Sequence, residues 1–518
     1  MIPVCDLSFQ CFLYIFVPFC TFLFAIQSQV EPRMPNFISL VDLLPLIPEL
    51  ILFLTLVVAM LADLFVPSNR RNDVLVSVSL GGIVLTMLAE LQLYGAGYTG
   101  FYGTVVADNY SILLELVYLL IGLMTILLSR HYITENEMNF GEYYILLLSA
   151  LIGMMLMSSS LELLVIFIGL EIMSISSYIL VGMKRQVPES GEAALKYLLL
   201  GAFSTGFLLY GISLLYGATG STYLPDMLQQ LRLGAVETPL ALAGIALLTI
   251  GLSFKVAIVP FHMWTPDVYS GAPTPVTGFM SAAAKAAGFA IMIRILLVGI
   301  PLEQVEGWEN ILGWLAMLTM TIGNLVALQQ QNVKRMLAYS SIAHAGYMMV
   351  AIAVGTTAAI GSVLFYALAY AVVSTGAFGV LTIRNRGRIL ETYEDLHGYA
   401  RTNPMLALGM SLMMLSLIGL PLTGGFVGKL GIFGAALDDD WILLTVVAVL
   451  NSALSVYYYL RVIACMYLRV GEETSTVIET PPRLASFGVG LTVFATLYLG
   501  IFPDDFLILI NESVRSLL

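Results

Sequence analysis

Long runs of apolar residues, separated by short polar segments, extend through most of the 518-residue chain. A helix that spans a lipid bilayer needs about 20 mostly apolar residues. Windows of that length predict fourteen spanning helices, near residues 41–66, 74–94, 109–129, 143–160, 161–183, 194–217, 239–268, 274–299, 308–329, 336–355, 358–383, 404–436, 441–468 and 485–502. The pattern therefore predicts an all-α polytopic membrane protein.

A further apolar stretch at residues 9–26 precedes these helices. It fits a fifteenth helix, a signal sequence, or a natural start at Met34 with the preceding residues outside the protein. Signal sequences begin with a basic segment, whereas Asp6 is the sole charged residue before this stretch. We favour the start at Met34 and treat residues 1–37 as an N-terminal extension.

Two predicted helices are longer than a membrane requires and contain residues that interrupt helices. Pro260 lies in the 239–268 stretch, and Pro421, with glycines on both sides, lies in the 404–436 stretch. Proline removes a backbone donor and clashes with the preceding turn. Irregular backbone at membrane depth survives where protein or a wet cavity surrounds it. Paired interruptions in two halves are typical of transporters built from inverted repeats.

The spacing of these interruptions predicts two inverted five-helix repeats, each with one broken helix. The predicted division is N-terminal helices over 38–142, a first repeat over 143–299, a second repeat over 308–468, and a C-terminal helix within 469–518. Loop charges predict the orientation, because inside loops of membrane proteins are rich in lysine and arginine. With residue 41 outside, the inside loops carry thirteen basic residues and the outside segments three.

Composition narrows the classes of function. The chain is 59% hydrophobic and 11% charged, whereas soluble domains carry about 25% charged residues. Acidic residues outnumber basic ones by 34 to 22, which argues against binding of nucleic acid. The four cysteines lack the spacing of zinc or iron–sulfur sites, and nucleotide-binding glycine motifs are absent from the sequence. We therefore predict no cofactor or metal bound by this chain.

Four lysines lie inside the apolar windows, namely Lys196, Lys255, Lys285 and Lys429. A lysine at the bilayer centre costs about 2.5–3.5 kcal/mol on insertion scales and marks a functional site by default. Burial favours the neutral amine and a nearby carboxylate favours the charged one. Glu171 is expected to pair with one of these lysines, because a lone buried carboxylate would take up a proton. The series predicts a proton path.

Each of these charges also has a structural interpretation. Lys196 lies early in its helix and could extend its amine to the inner surface. His344 shares one helical face with Ser340 and Tyr347, which fits either a hydrated proton path or hydrogen bonds between helices. Arg294 lies toward the end of its helix and is predicted to reach the membrane surface as an anchor.

Three motifs resemble those of a known family. They are GLSFKVAIVPFHMWTPDVY at residues 251–269, NVKRMLAYSSI at 332–342 and GLPLTGGFVGK at 419–429. From about residue 38 to the end, the chain resembles the antiporter-like subunits of respiratory complex I, the proton-translocating NADH:quinone oxidoreductase. Trp-Thr-Pro-Asp at 264–267, Lys429 and the short segment after the last helix resemble subunit N, the subunit 2 homologue, more than subunits L and M.

The resemblance implies a proton-transfer role for six residues: Glu171, Lys196, Lys255, Lys285, His344 and Lys429. Glu171 would pair with Lys255, and Lys285 would connect the two halves. The resemblance also implies that quinone reduction in other subunits drives the transfer. The parent complex would use NADH, flavin, iron–sulfur clusters and quinone. Partners would be K-type and M-type membrane subunits and the lateral helix of an L-type subunit, in the inner (plasma) membrane of a bacterium rather than in an organelle.

Two other functions compete with this interpretation. One is a cation/proton antiporter that works outside any redox enzyme. The other is a membrane scaffold whose lysines form only static pairs. An ion channel has less support, because the sequence shows no filter-like loop or ring-forming acidic repeat.

Overall fold

Helices make up most of the chain in the computed structural model. The structure describes residues 40–136, 138, 141–301, 304–305, 307–383, 390–469 and 481–517. The apolar stretch at 9–26 and the extension 1–37 lie outside the described residues. Within the described part, twelve helices are long and apolar enough to cross a membrane, and shorter apolar helices accompany them. The predicted all-α membrane fold is confirmed.

The N-terminal region forms three long helices and a small hairpin. After a 3₁₀ turn at Leu40–Leu46, its elements are α1 (Ile47–Phe65), α2 (Ser68–Leu93), β1 (Tyr98–Gly100), β2 (Val105–Ala107) and α3 (Asn109–Glu135). The two strands pair antiparallel, with Tyr98 opposite Ala107. Asp108 begins α3 as its N-cap, because its side chain accepts a hydrogen bond from the Ser111 amide at 2.7 Å.

The region predicted as the first repeat contains seven helices. They are α4 (Glu142–Ser158), α5 (Leu163–Val181), α6 (Pro188–Thr219), α7 (Leu224–Arg232), α8 (Pro239–Val256), α9 (Trp264–Gly271) and α10 (Thr274–Gly299). Helix α10 includes π-helical turns at Met280–Ala284 and Ile295–Gly299. Such turns occur frequently at functional sites.

The rest of the chain, from residue 308 onward, contains nine further helices among its described residues. They are α11 (Trp308–Leu328), α12 (Val333–Val354), α13 (Thr357–Leu381), α14 (Tyr399–Thr402), α15 (Pro404–Ile418), α16 (Gly424–Asp438), α17 (Ile442–Leu468), α18 (Arg483–Ile501) and α19 (Pro503–Leu517). Helices α12 and α13 form the centre of the molecule, since 94% and 100% of their apolar windows are buried. Helices α6, α17 and α18 lie toward the outside of the molecule, since 33% of each of their apolar windows is buried.

Both predicted helix interruptions are confirmed. Helix α8 ends at Val256, where Ala257 takes a left-handed φ of 63°, and the chain becomes helical again at Trp264. Helix α15 ends at Ile418, where Gly419 has a φ of 91°. The single stretch predicted at 404–436 is therefore two helices of 15 residues each. Each is shorter than the roughly 20 residues that span a bilayer.

Glycines allow the helices of the first half to approach closely. A Cβ atom on Gly153 of α4 would lie 2.5 Å from the carbonyl oxygen of Gly169 on α5. A Cβ atom on Gly211 of α6 would lie 2.9 Å from the carbonyl oxygen of Gly244 on α8. Small residues at such crossings are common in membrane helix packing. These contacts position α5, α6 and α8, which carry Glu171, Lys196 and Lys255.

Candidate functional site

Lys255 and Glu171 meet where the first broken helix ends. Lys255 lies in the last turn of α8, and its side chain is 4% exposed. Its Nζ donates a hydrogen bond to Ser174 Oγ at 2.8 Å and lies 3.9 Å from Glu171 Oε1. Thr205 Oγ1 donates to the same carboxylate oxygen at 3.0 Å. The structure thus brings the expected pair together, with a hydroxyl group beside the amine.

Lys285 occupies a different environment on α10, directly after the π-helical turn at Met280–Ala284. Its buried Nζ donates to the carbonyl oxygen of Ser341 at 2.6 Å and also contacts Ser341 Oγ. Ser341 lies on α12, at the centre of the molecule. Among the described residues, Lys285 takes part in no ion pair. Its amine is therefore held by neutral oxygen atoms.

Lys429 lies after the second break and reaches back across it. Its buried Nζ donates to the carbonyl oxygens of Leu417 and Ile418, at 2.8 and 3.0 Å, and to Ser452 Oγ at 3.0 Å. The last carbonyl groups of a helix have no partner within the helix and carry partial negative charge. The amine also lies 5.0 Å from the centre of the Tyr347 ring, within range of a cation–π contact.

The two breaks therefore use lysine differently. Lys255 belongs to the half-helix before its break, whereas Lys429 belongs to the half-helix after its break. Lys255 has a carboxylate nearby, whereas Lys429 binds the carbonyl end of α15. Both amines can be held in place without a direct hydrogen bond to a carboxylate.

His344 lies on α12 and is enclosed by tyrosines. Its Nδ1 is 2.5 Å from the hydroxyl of Tyr366 on α13, and its Nε2 is 2.8 Å from the hydroxyl of Tyr459 on α17. The Tyr459 hydroxyl also contacts Ser340 Oγ. The polar face predicted on α12 thus makes hydrogen bonds between helices. Because a histidine nitrogen and a tyrosine hydroxyl can each donate or accept, these bonds also form a continuous polar chain.

Helix α12 connects the surroundings of two lysines. Its Ser341 accepts hydrogen bonds from Lys285, and its Tyr347 lies beside Lys429. His344 lies between them in sequence, and its ring is 5.6 Å from the Tyr347 ring. Positions 341 and 344 are neighbours on a helix, and so are positions 344 and 347. This row of residues therefore extends from the lysine of α10 to the lysine of the second broken helix.

Lys196 lies in more open surroundings. Its side chain is 42% exposed, and its Nζ forms ion pairs with Glu192 at 2.7 Å and Asp267 at 2.9 Å. Arg335 contacts the other Asp267 oxygen at 3.0 Å. These residues line a cavity of about 480 Å³. Asp267, in the half-helix after the first break, thus joins Lys196 to the start of α12.

Arg294 corrects one expectation from the sequence. The prediction that it anchors at the membrane surface is wrong, because its side chain is 1% exposed. Its Nη2 donates to both carboxylate oxygens of Asp108, at 2.9 Å each. The cause is the packing of α10 against the start of α3, which covers the guanidinium. The pair connects the helix that carries Lys285 to the N-terminal helices.

Residues 160–455 match the family described as NADH:quinone oxidoreductase/Mrp antiporter, transmembrane. NADH-quinone oxidoreductase subunit N of Trichlorobacter lovleyi is 44% identical over 477 residues, which cover 92% of this chain and 97% of the relative. The chain belongs to the NADH-quinone oxidoreductase subunit N family. Subunit N of Salinibacter ruber is 46% identical over 425 residues, which cover 80% of this chain and 84% of the relative.

Solved structures agree with membership of the subunit N family. A chain of respiratory complex I from Thermus thermophilus, solved with bound aureothin, has a TM-score of 0.75 and 36% identity, covering 89% of this chain and 99% of that chain. A chain of the Mrp complex from a Dietzia species has a TM-score of 0.79 at 21% identity, covering 92% and 98%. The similarity to the Mrp complex chain shows a shared fold. The protein is therefore an antiporter-like membrane subunit of complex I.

Several polar residues around the lysines of this subunit N family member were not predicted. Tyr366 and Tyr459 bind His344, and Ser174 and Ser341 bind lysine amines. A tyrosine hydroxyl in an apolar segment needs a partner, which is a usable signal. The sequence holds 26 tyrosines, however, so that signal alone does not select these two.

A fourth buried lysine, beside Lys255, Lys285 and Lys429, was also missed. Lys334 precedes the apolar window predicted at 336–355, but it lies in the first turn of α12 and is 1% exposed. Its Nζ donates to the carbonyl oxygens of Ser270 and Ala272, at 3.1 and 2.5 Å. It therefore caps the end of α9, where unpaired carbonyl groups attract a cation.

Proposed function

We propose that this chain translocates protons across the membrane through buried lysine and glutamate side chains, driven by quinone reduction in neighbouring subunits. The observation that carries the proposal is the burial of three lysine amines, two of which contact only neutral oxygen atoms or a ring in the part of the chain that the structure describes. An amine buried in an apolar site without a counter-ion loses its proton more readily than one in water, and polar oxygen atoms beside it stabilise the charged form. Lys285 and Lys429 can therefore both take up and release a proton.

The proposed route begins on the inner side and ends on the outer side. A proton enters past Lys196 and resides on Lys255, where Glu171 stabilises the charge. It passes to Lys285 and continues along the face of α12, past His344, to Lys429. Because Lys255 and Lys285 share no hydrogen bond, water must carry the proton between them. All six predicted residues have a place in this route.

The coupling is electrostatic in this proposal. Moving one charge against a membrane potential costs about 2.3 kcal/mol per 100 mV. The sequence predicts no redox group in this chain, so neighbouring subunits must supply that free energy. A change of charge next to Glu171 would alter the proton affinity of Lys255, since a carboxylate within about 4–6 Å stabilises the charged amine. The altered charge on Lys255 would then change the proton affinity of Lys285, and Lys285 in turn that of Lys429.

The cofactors and partner subunits in this proposal are those that the family resemblance implies. The parent complex would use NADH, flavin, iron–sulfur clusters and quinone, none of them held by this chain. K-type and M-type membrane subunits and the lateral helix of an L-type subunit would be the neighbours, in a bacterial inner membrane. Residues 143–299 and 308–468 would act as two inverted half-channels, flanked by 38–142 and 469–518.

The proposal predicts proton transport that does not depend on sodium. Membrane vesicles that contain the complex would be supplied with NADH and quinone, and internal acidification would be followed with a pH-sensitive dye. We expect equal acidification with choline or sodium as the external cation. If instead NADH drives radioactive sodium into the vesicles in the presence of a protonophore, and acidification requires sodium, the chain is a sodium transporter and the proposal is wrong.

Lys196→Ala is expected to lower the rate of proton pumping by less than about fivefold, because water screens the ion pairs of an exposed side chain. The rate would be measured as NADH-driven acidification per assembled complex. Lys196→Arg, which keeps both ion pairs, serves as the control and should pump at the normal rate. A complete loss of pumping in Lys196→Ala with normal assembly would contradict a peripheral position in the route.

A further inference from the structure

A cavity of about 800 Å³ lies between helices α2, α3 and α18. Loop charges predict that this end of the helices faces the inside of the cell. Arg71 of α2, Arg130 of α3 and Arg483 of α18 line its walls. None of the proposed proton-transfer residues lines it, so its function is separate from the proton route.

The cavity carries more positive than negative charge. Three arginines line it, and Asp73 is the one acidic residue among the described residues of its lining. Arg130 binds Asp73 with an Nη2–Oδ1 distance of 2.6 Å. Arg71 forms an ion pair with Asp63, with an Nε–Oδ1 distance of 3.5 Å, although that Nε makes no hydrogen bond. Arg483 forms no ion pair with a described residue. Arg483 can therefore bind an anion directly, and Arg71 and Arg130 each keep N–H donors beyond the one that meets a carboxylate.

One wall of the cavity is apolar. Leu75 and Leu127 are buried side chains of that wall, and Leu484 continues it toward the membrane. On the polar side, the Tyr144 hydroxyl donates to Asn72 Oδ1 at 2.6 Å, which holds both side chains in position. The cavity thus offers cationic donors at the membrane surface and leucines beside them. A soluble anion would contact only the cationic donors and would not need the leucines.

We propose that this cavity binds the phosphate headgroup of an anionic phospholipid from the inner leaflet. Guanidinium groups match phosphate oxygens in charge and geometry. Basic pockets between membrane helices on the inner side are suited to such headgroups. The volume falls within the roughly 300–1,000 Å³ of ligand pockets. The lipid would connect α18 to α2 and α3 and stabilise the N-terminal helices against the rest of the molecule.

The test uses the whole complex in nanodiscs of phosphatidylcholine with a small amount of photoactivatable phosphatidylglycerol. Mass spectrometry would quantify adducts on peptides from the cavity walls. We expect excess phosphatidylglycerol to lower labelling of these peptides at least tenfold and phosphatidylcholine to have little effect. Equal competition by phosphatidylcholine would overturn the proposal. Competition by inorganic phosphate as strong as that by phosphatidylglycerol would show a soluble anion site and would also overturn it.

Charge-removing variants provide a second, independent measurement. Arg130→Gln and Arg483→Gln are each expected to lower labelling about fivefold, from the contribution of one basic residue near an anionic surface. Arg70→Gln is the matched control, since Arg70 is exposed in the same region and does not line the cavity. Native gels would verify assembly of each variant. Unchanged labelling in both cavity variants, or an equal loss in Arg70→Gln, would refute the assignment.

Discussion

Lys255→Ala is expected to lower NADH-driven proton pumping and quinone reduction together by at least about tenfold, which corresponds to about 1.4 kcal/mol of barrier. Among the described residues, Lys255 provides the one buried cation within 4 Å of Glu171, and its amine is almost fully enclosed. Its loss would remove the first proton-binding group inside the membrane. Because pumping and redox chemistry are coupled in this proposal, neither should continue without the other.

The measurement is acidification and quinone reduction in membrane vesicles, expressed per assembled complex. Ser253→Ala is the matched control, because Ser253 lies on the same helix, is fully buried, and has an Oγ without a hydrogen-bond partner. It should pump at the normal rate. If Lys255→Ala complexes assemble and pump normally, Lys255 has no part in the route. If assembly fails while the few assembled complexes pump fully, the chain is a scaffold with static pairs.

Asp108→Ala is expected to lower the free energy of unfolding by about 3–5 kcal/mol, the usual cost of leaving one partner of a buried ion pair alone. Arg294 would keep its charge at 1% exposure without a carboxylate. The measurement is thermal unfolding of the purified complex, together with the fraction of complex that survives on native gels.

Two further variants separate the ion pair from helix capping. Asp108 also caps α3, and loss of a cap costs about 0.5–2 kcal/mol. Asp108→Asn keeps an oxygen for the cap but removes the charge. Its free energy of unfolding should therefore fall by most of the amount expected for Asp108→Ala. Asp108→Ala combined with Arg294→Met should recover part of it, because no unpaired charge remains. A stable Asp108→Asn variant would show that the pair contributes little.

The fold could be predicted from the sequence in its main outlines. Each apolar window corresponds to a helix or a pair of half-helices, because the cost of placing polar backbone in lipid applies along every stretch of chain. The two breaks were predicted from Pro260 and Pro421. Their form was not. In the first break, Ala257, three residues before the proline, takes the left-handed conformation that ends the helix.

The candidate site was predicted less completely. The lysines and Glu171 stand out because a charge in an apolar segment is costly wherever it points. The contacts of these charges depend on helices far apart in the sequence. Lys285 binds Ser341, 56 residues away, and Arg294 binds Asp108, 186 residues away. No local pattern around Arg294 distinguishes a buried arginine from one that reaches the membrane surface.

The sequence by itself determined which stretches can cross a membrane, where two helices break, and which charges lie inside apolar stretches. The reason is that the hydrocarbon core penalises each residue separately, so the penalty can be calculated one window at a time. Lys255 has the carboxylate that was expected for it, but the tertiary structure alone decided how the other two lysines are satisfied. It gave Lys285 a serine and Lys429 the carbonyl end of a half-helix. Such pairings arise only when distant helices pack together, since a buried polar group binds whichever partner the packing brings within reach.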